Sequence, residues 1–251
     1  MADVVLVSRV GGVGVVSFNR PARHNAIDDA LSDAWRAAVL DALTDDRVHC
    51  LLLCGEGPSF CSGRDVAQLG HRAEGESDVA FVARAQEVRR AVLEAPKPVV
   101  AAVQGYALGG GFETALSADM RIAAEDAQFA FPEVGFGLVA DTGGTQLLTP
   151  LIGPSRAKYL LMTGARIDAA QALAWGVVDW VVPAAELREA ALELARRLAA
   201  APPTAVAFAK QLVDQAWAGS IRNGMRQEVV AQAALFASDD YRRLKEQRAS
   251  S

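Results

Sequence analysis

Long apolar runs, cysteine pairs and a cationic surplus are all missing from this sequence. No stretch approaches the roughly 18 uninterrupted apolar residues of a membrane helix, and the N-terminus carries no basic region followed by an apolar run and a cleavage site. A membrane span and a secretory signal are therefore not expected, and the cytosol is the expected location. The three cysteines, Cys50, Cys54 and Cys61, are an odd count without a CxxC pair. That pattern suits neither a disulfide scaffold nor structural zinc and leaves reduced core thiols as the simplest reading. The three histidines, His24, His49 and His71, are too scattered to suggest a metal set, and no metal is expected. The net charge of −5 disfavours a nucleic-acid surface, which needs a cationic face to displace counterions from phosphate. Repeats, low-complexity tracts and long linkers are absent too.

What is present is apolar and alternates between strand-like and helix-like patterns. With 251 residues, 51% of them hydrophobic, the chain can bury a full core. Val4–Ser8 and Val13–Asn19 are β-branched runs around Gly11-Gly12, the pattern of a hairpin. Asp28 sits where it can cap a helix whose apolar residues recur at Leu31, Trp35, Val39 and Leu43. Val48–Gly55 and Pro98–Val103 are short apolar runs suited to strands buried on both faces, with a helix ending near Glu94 between them. A glycine-rich turn and helix follow at Gly105–Ser117, then strands at Met120–Ala123 and Val177–Pro183. From Ala184 the pattern is helical, with Leu187, Ala191, Leu194 and Leu198 on one stripe and further helices over Thr204–Trp217 and Ile221–Ala237. The residues alone thus give an α/β fold with a helical tail.

Three segments carry chemistry. GYALGGGFE (Gly105–Glu113) joins a buried strand to a helix; its glycines permit close backbone approach, and helix-start N–H groups can face developing negative charge. A tight turn needing positive φ is the plainer account of the same glycines. The loop lacks the Lys-Ser/Thr ending of a P-loop and the GxGxxG spacing of a dinucleotide site. FCSGRD (Phe60–Asp65) is a second glycine turn after an apolar strand. FPEVGFGLVADTGGTQ (Phe131–Gln146) places Glu133 among apolar residues, where a carboxyl pKa tends to rise, and Asp141 before a Gly-Gly turn. A helix cap or ion-pair partner is the structural alternative for Glu133.

Together these segments resemble the enoyl-CoA hydratase/isomerase, or crotonase, superfamily. NRPARHNAI (Asn19–Ile27) resembles its N-terminal motif, FCSGRD its first oxyanion segment, and Lys97–Ala123 its signature almost throughout. The later segments follow in the family's order.

The resemblance implies a crotonase-like spiral of ββα units over residues 1–195, with the acyl-CoA site, and a C-terminal helical trimerisation region over 196–251. A homotrimer, or a hexamer as a dimer of trimers, is the implied assembly. The implied substrate is an acyl-CoA thioester, with coenzyme A part of the substrate and no further cofactor; neither nucleic acid nor membrane is a partner. The thioester oxygen would accept hydrogen bonds from the backbone N–H groups of Arg64 and Gly110, which stabilise enolate charge. Glu113 would activate a water at the β carbon and Glu133 would deliver a proton to the α carbon. Around them, Arg23, Asn25 and Ala26 match the N-terminal substrate and CoA segment. Ser62, Gly63, Arg64 and Asp65 match the first turn, and Gly109 and Gly110 the second.

This reading gives an enoyl-CoA hydratase making a 3-hydroxyacyl-CoA in fatty-acid or related degradation. Asp141 keeps an alternative open, because related dienoyl-CoA isomerases carry a proton-shuttling carboxylate at that position, whereas common hydratases resemble Pro-Gly-Ala-Gly-Gly there. A thioesterase-like hydrolase, a dehalogenase and a non-catalytic acyl-CoA-binding relative are the other possibilities. An RNA-binding relative would need a lysine-rich helix that the sequence does not show. Arg64 is larger than its usual counterpart, so its side chain meets CoA phosphates or narrows the pocket, and the ending DDYRRLKEQRASS is shorter than the family's. His49 reads as a core or edge histidine, and Arg84, Arg89 and Arg90 as a solvated helix face. Trp35, Trp175, Trp180 and Trp217 read as core or interface packing.

Overall fold

The structure, a computed structural model, describes residues 3–72, 74–216 and 219–249. Strands β1 (Val5–Val10) and β2 (Val13–Phe18) form the expected hairpin, with Gly11 at positive φ in the turn. The Asp28 carboxylate accepts the Leu31 N–H at 2.8 Å and starts α1 (Asp29–Thr44). That helix buries Leu31, Trp35, Val39 and Ala42, and Trp35 stacks on Phe18 with ring centroids 3.6 Å apart. Leu43, read from spacing as part of the stripe, lies at its margin.

The chain then alternates as expected through β3 (Cys50–Gly55), α2 (Asp78–Glu94), β4 (Val99–Val103), α3 (Gly110–Ser117) and β6 (Met120–Ala124), with two strands that were not expected, β5 (Tyr106–Leu108) before α3 and β7 (Gln128–Ala130) after β6. After a 3-10 turn over Pro132–Phe136 come α4 (Gly144–Ile152), α5 (Pro154–Thr163), β8 (Ile167–Asp168), α6 (Ala169–Trp175) and β9 (Trp180–Val182). The helical end consists of α7 (Leu187–Ala199), α8 (Pro203–Gln215), α9 (Ile221–Phe236) and α10 (Asp239–Ala249).

The main sheet has the order β1-β2-β3-β4-β6-β9, parallel except for β1. Its central strands are buried along their whole length, which is why they read as continuous apolar runs. Alternation sorts their side chains onto two faces. Val16, Phe18, Leu51, Leu53, Val99, Ala101 and Val103 join the core shared with α1, α2 and α3; Val13, Val15, Leu52, Val100 and Ala102 join Leu187, Ala191 and Ala195 of α7. On α7 the stripe differs by one turn position from the spacing-based one: Ala195 is fully buried, and Leu194 and Leu198 flank it. All three cysteines are buried free thiols, and burial pushes each up to about 12.

A second sheet, β5-β7-β8, lies beside the glycine-rich turn. Its strands of two or three residues are too short to show periodicity, and α5 and α6 likewise went unread in the sequence. Trp35 is core, Trp175 packs edge-on against Tyr159, Trp180 is 46% exposed, and Trp217 lies outside the described residues. His49 is exposed at the sheet's end. No helix among the described residues is long and apolar enough to cross a membrane.

Candidate active site

A cavity of about 390 Å³ gathers residues from distant parts of the chain: Arg64, Gly110, Glu113, Glu133, Asp141 and Thr142. Three carboxylates, Glu113, Glu133 and Asp141, therefore share one space. Among the described residues no group of three acids, histidines or cysteines is arranged to hold a metal ion.

The first glycine turn is shaped by packing. Gly63 has φ +90, and a β carbon there would meet the Leu108 carbonyl oxygen at 2.7 Å. Ile27 bridges Arg64 in parallel fashion, its N–H bonding the Gly63 carbonyl and its carbonyl accepting the Asp65 N–H. In that pattern the N–H of the intervening residue, Arg64, points away from Ile27. Gly110 opens α3, so its N–H has no partner within the helix. Gly109 has φ +51, and Gly111 lies so close to Cys61 that a β carbon would be 2.2 Å from its carbonyl oxygen. The turn needs its glycines, and it leaves the N–H groups at the start of α3 without partners inside the helix.

Glu113 and Glu133 occupy opposite environments. Glu113 is only 1% exposed, and all three of its hydrogen-bond partners donate to it. The Thr142 and Gly144 N–H groups reach Oε1 at 2.8 and 2.9 Å, and the Thr142 hydroxyl reaches Oε2 at 2.6 Å. These amides belong to the start of α4, where a carboxylate is favoured. Oε1 has both lone pairs engaged, and Oε2 keeps one acceptor position. Glu133 has no comparable support: its Oε2 is buried without a hydrogen-bond partner. Burial, with the Glu113 and Asp141 carboxylates adding to it, pushes Glu133 up to about 7, its own backbone N–H pulling the other way. Burial and the Glu113 charge also raise Asp141.

Helix α2 braces the site from one side. Arg89 donates to the Gly110 carbonyl at 2.9 Å and to the Thr114 hydroxyl at 3.0 Å, and Gln86 donates to the Asp141 carbonyl at 2.6 Å. Burial lowers the Arg89 pKa, opposed by the facing Glu113 and Asp141. This corrects the reading of Arg84, Arg89 and Arg90 as a solvated face. Only Arg90 is exposed; Arg84 and Arg89 turn toward the cavity because their neighbours on α2 pack against α1 and α3.

A family model for enoyl-CoA hydratase/isomerase matches residues 8–249. The chain belongs to the enoyl-CoA hydratase/isomerase family. Among similar proteins, carnitinyl-CoA dehydratase of Salmonella typhimurium is 40% identical over 84% of this chain and 80% of its own. The short-chain-enoyl-CoA hydratase of Clostridium acetobutylicum is 35% identical over 94% of this chain and 90% of its own. The solved enoyl-CoA hydratase from Bacillus anthracis superposes with a TM-score of 0.90 at 33% identity, covering 98% of this chain and 95% of that one. The fold is therefore the crotonase fold, an α/β architecture.

Within this family member, the N-terminal motif lies beside the first turn. Asn25 is fully buried at φ +56, and its Nδ2 donates to the carbonyls of Glu56, Ser59 and Phe60 at 3.0, 2.7 and 3.1 Å. Its side chain ties that motif to the turn. Arg23 is exposed, Ala26 accepts a hydrogen bond from Arg20, and the Ser62 N–H donates to the His24 carbonyl at 3.0 Å. Asp65 pairs with Arg20 at 3.5 Å and caps the next 3-10 turn. The Arg64 side chain pairs with Asp29, and Arg64 lines the cavity. Thr142 and Phe81 were missed in the sequence. Nothing but the Gly-Gly turn beside it marked Thr142.

Proposed function

We propose that this chain is an enoyl-CoA hydratase, adding water across the 2,3 double bond of a 2-enoyl-CoA to give a 3-hydroxyacyl-CoA. The unequal surroundings of Glu113 and Glu133 carry the reading, because water addition needs a base and an acid at once. Glu113, held by donors alone, uses the remaining acceptor position of Oε2 to orient the water and take its proton. The water oxygen bonds to the β carbon and the double-bond electrons move onto the thioester oxygen. The N–H groups of Arg64 and Gly110 hold that enolate, each such donor being worth about 3 kcal/mol. Glu133, protonated through its raised pKa, returns a proton to the α carbon. One water is consumed, its hydroxyl going to the β carbon; the proton taken by Glu113 then passes to Glu133 and resets both carboxyls, and no cofactor enters, since coenzyme A is part of the substrate.

The names borne by the two relatives, a dehydratase and a hydratase, both describe water crossing such a bond, and they support the same direction of reading. Asp141 favours a second activity: it lines the same cavity with a raised pKa, so a second proton carrier is at hand for shifting a double bond along a longer dienoyl chain. The assembly we propose is a homotrimer or a dimer of trimers built through the C-terminal helices, which expose Val213, Ile221, Met225, Val229 and Val230. Incubation with crotonyl-CoA, a longer 2-enoyl-CoA and a 3,5-dienoyl-CoA tests the reading. Gain of one water by the 2-enoyl substrates is expected; a shift of the double bond without mass change as the sole reaction favours the isomerase, and no turnover of any refutes both.

A further inference from the structure

The cavity that holds the three carboxylates is also lined by a cluster of arginines. Leu69, Phe81, Val82, Leu138 and Val139 offer apolar contact for an alkyl chain. Phe81 is not a bare aromatic face, however. The guanidinium carbons of Arg64, Arg72 and Arg84 stand 5.9, 5.5 and 5.7 Å from its ring centroid, and all three arginines line the cavity. Arg64 pairs with Asp29, Arg72 with Asp78 at 3.2 Å, and Arg84 with Glu76 at 2.9 Å and Asp33 at 3.6 Å. Of these four acids only Asp78 lines the cavity, and its side chain is 83% exposed, where water screens it. The cavity therefore meets the guanidinium side of each pair.

Among the acids of this cavity, Glu113 is taken up by Thr142 and Gly144, and Arg89 faces both Glu113 and Asp141.

We infer that this site takes acyl-CoA chains whose distal end carries an oxygen acceptor, a carboxylate above all, and rejects chains ending in a quaternary ammonium. The inference rests on the acyl-CoA reading above. A quaternary ammonium has no N–H to donate and binds through aromatic faces and carboxylates. Here guanidinium groups already surround the aromatic ring, and like charge repels the newcomer.

The test measures calorimetric binding of three unreactive saturated thioesters to the full chain: butyryl-CoA, glutaryl-CoA and 4-(trimethylammonio)butyryl-CoA. Glutaryl-CoA is expected to bind at least as tightly as butyryl-CoA, and the cationic thioester roughly tenfold or more weakly. In the Arg72→Gln, Arg84→Gln double variant that gap is expected to shrink to about threefold or less. Both side chains are more than a third exposed, so the variant keeps its fold. Equal or tighter binding of the cationic thioester, weaker binding of glutaryl-CoA than of butyryl-CoA, or a gap unchanged in the double variant would overturn the inference. Binding of none of the three would overturn the acyl-CoA reading itself, and this inference with it.

Discussion

The carboxylate of Glu133 rests against the bare α carbon of Gly109: a β carbon at that position would lie 2.5 Å from Oε1. The space for the proposed acid is thus made by a missing side chain. Gly109 also has φ +51, so a side chain there would strain the backbone as well.

Gly109→Ala is expected to displace Glu133 and lower kcat for hydration by roughly 100-fold or more, a misplacement effect at the reacting centre. Steady-state kinetics with crotonyl-CoA reads this directly, and circular dichroism checks that the variant is folded. Activity within a few-fold of wild type would mean that the carboxylate works from elsewhere.

Glu133, with a pKa of about 7 against an ordinary 4.5, gives hydration a falling limb. The protonated form supplies the proton, so kcat should be high below pH 7 and decline above it. Stability has the same sign. Below 4.5 the carboxyl is protonated in both the folded and the unfolded chain; between 4.5 and 7 the unfolded chain ionises first, so stability falls across that interval and levels off above 7. Glu133→Gln, which never ionises, should be inactive and should melt above wild type at pH 8, the difference vanishing below pH 4.5. Thermal melts across that range decide the point.

Thr142 holds Glu113 through both its N–H and its hydroxyl. Replacing it by Val removes the hydroxyl donor and keeps the amide; a charge-assisted bond of about 1.5–3 kcal/mol is lost, so kcat should drop roughly 10- to 100-fold. Thr142→Ser should recover most of the activity. A merely structural hydroxyl would change melting temperature without separating Val from Ser in kcat.

Asp141→Asn is expected to leave crotonyl-CoA hydration within about threefold of wild type, because burial, the largest cause of the raised Glu133 pKa, is unchanged and Asp141 is the smallest of the causes. Double-bond migration in a 3,5-dienoyl-CoA should be abolished. Loss of both reactions together would place Asp141 in the hydration machinery.

Which parts of this could be read beforehand follows from the range of the forces involved. The Asp28 cap, the Gly11-Gly12 hairpin and the buried β3 and β4 strands are local matters of turn chemistry and patterning, and they were legible. Glu113, Glu133 and Asp141 were located through resemblance, and the structure brings them to one cavity. Thr142 was invisible because its hydroxyl matters only against a carboxylate 29 positions earlier in the chain. Arg89 was misread because charge on a helix usually means solvent, whereas its guanidinium is drawn inward by the Gly110 carbonyl and the Thr114 hydroxyl. The strands β5, β7 and β8 are held by pairing with one another, which no single short segment announces.

Helix α2 touches three working parts within nine residues: Phe81 at the acyl wall, Gln86 on the Asp141 carbonyl and Arg89 on the Gly110 carbonyl. It therefore behaves as a ruler with fixed marks. One residue inserted or deleted inside it would turn every later mark by about 100° around the axis. Side chains at 81, 82 and 85 line the cavity and can be exchanged without turning those marks, whereas sliding the helix cannot leave them in place. The tuning of what binds and the geometry of what reacts are carried on one rigid element, and adaptation is confined to its surface.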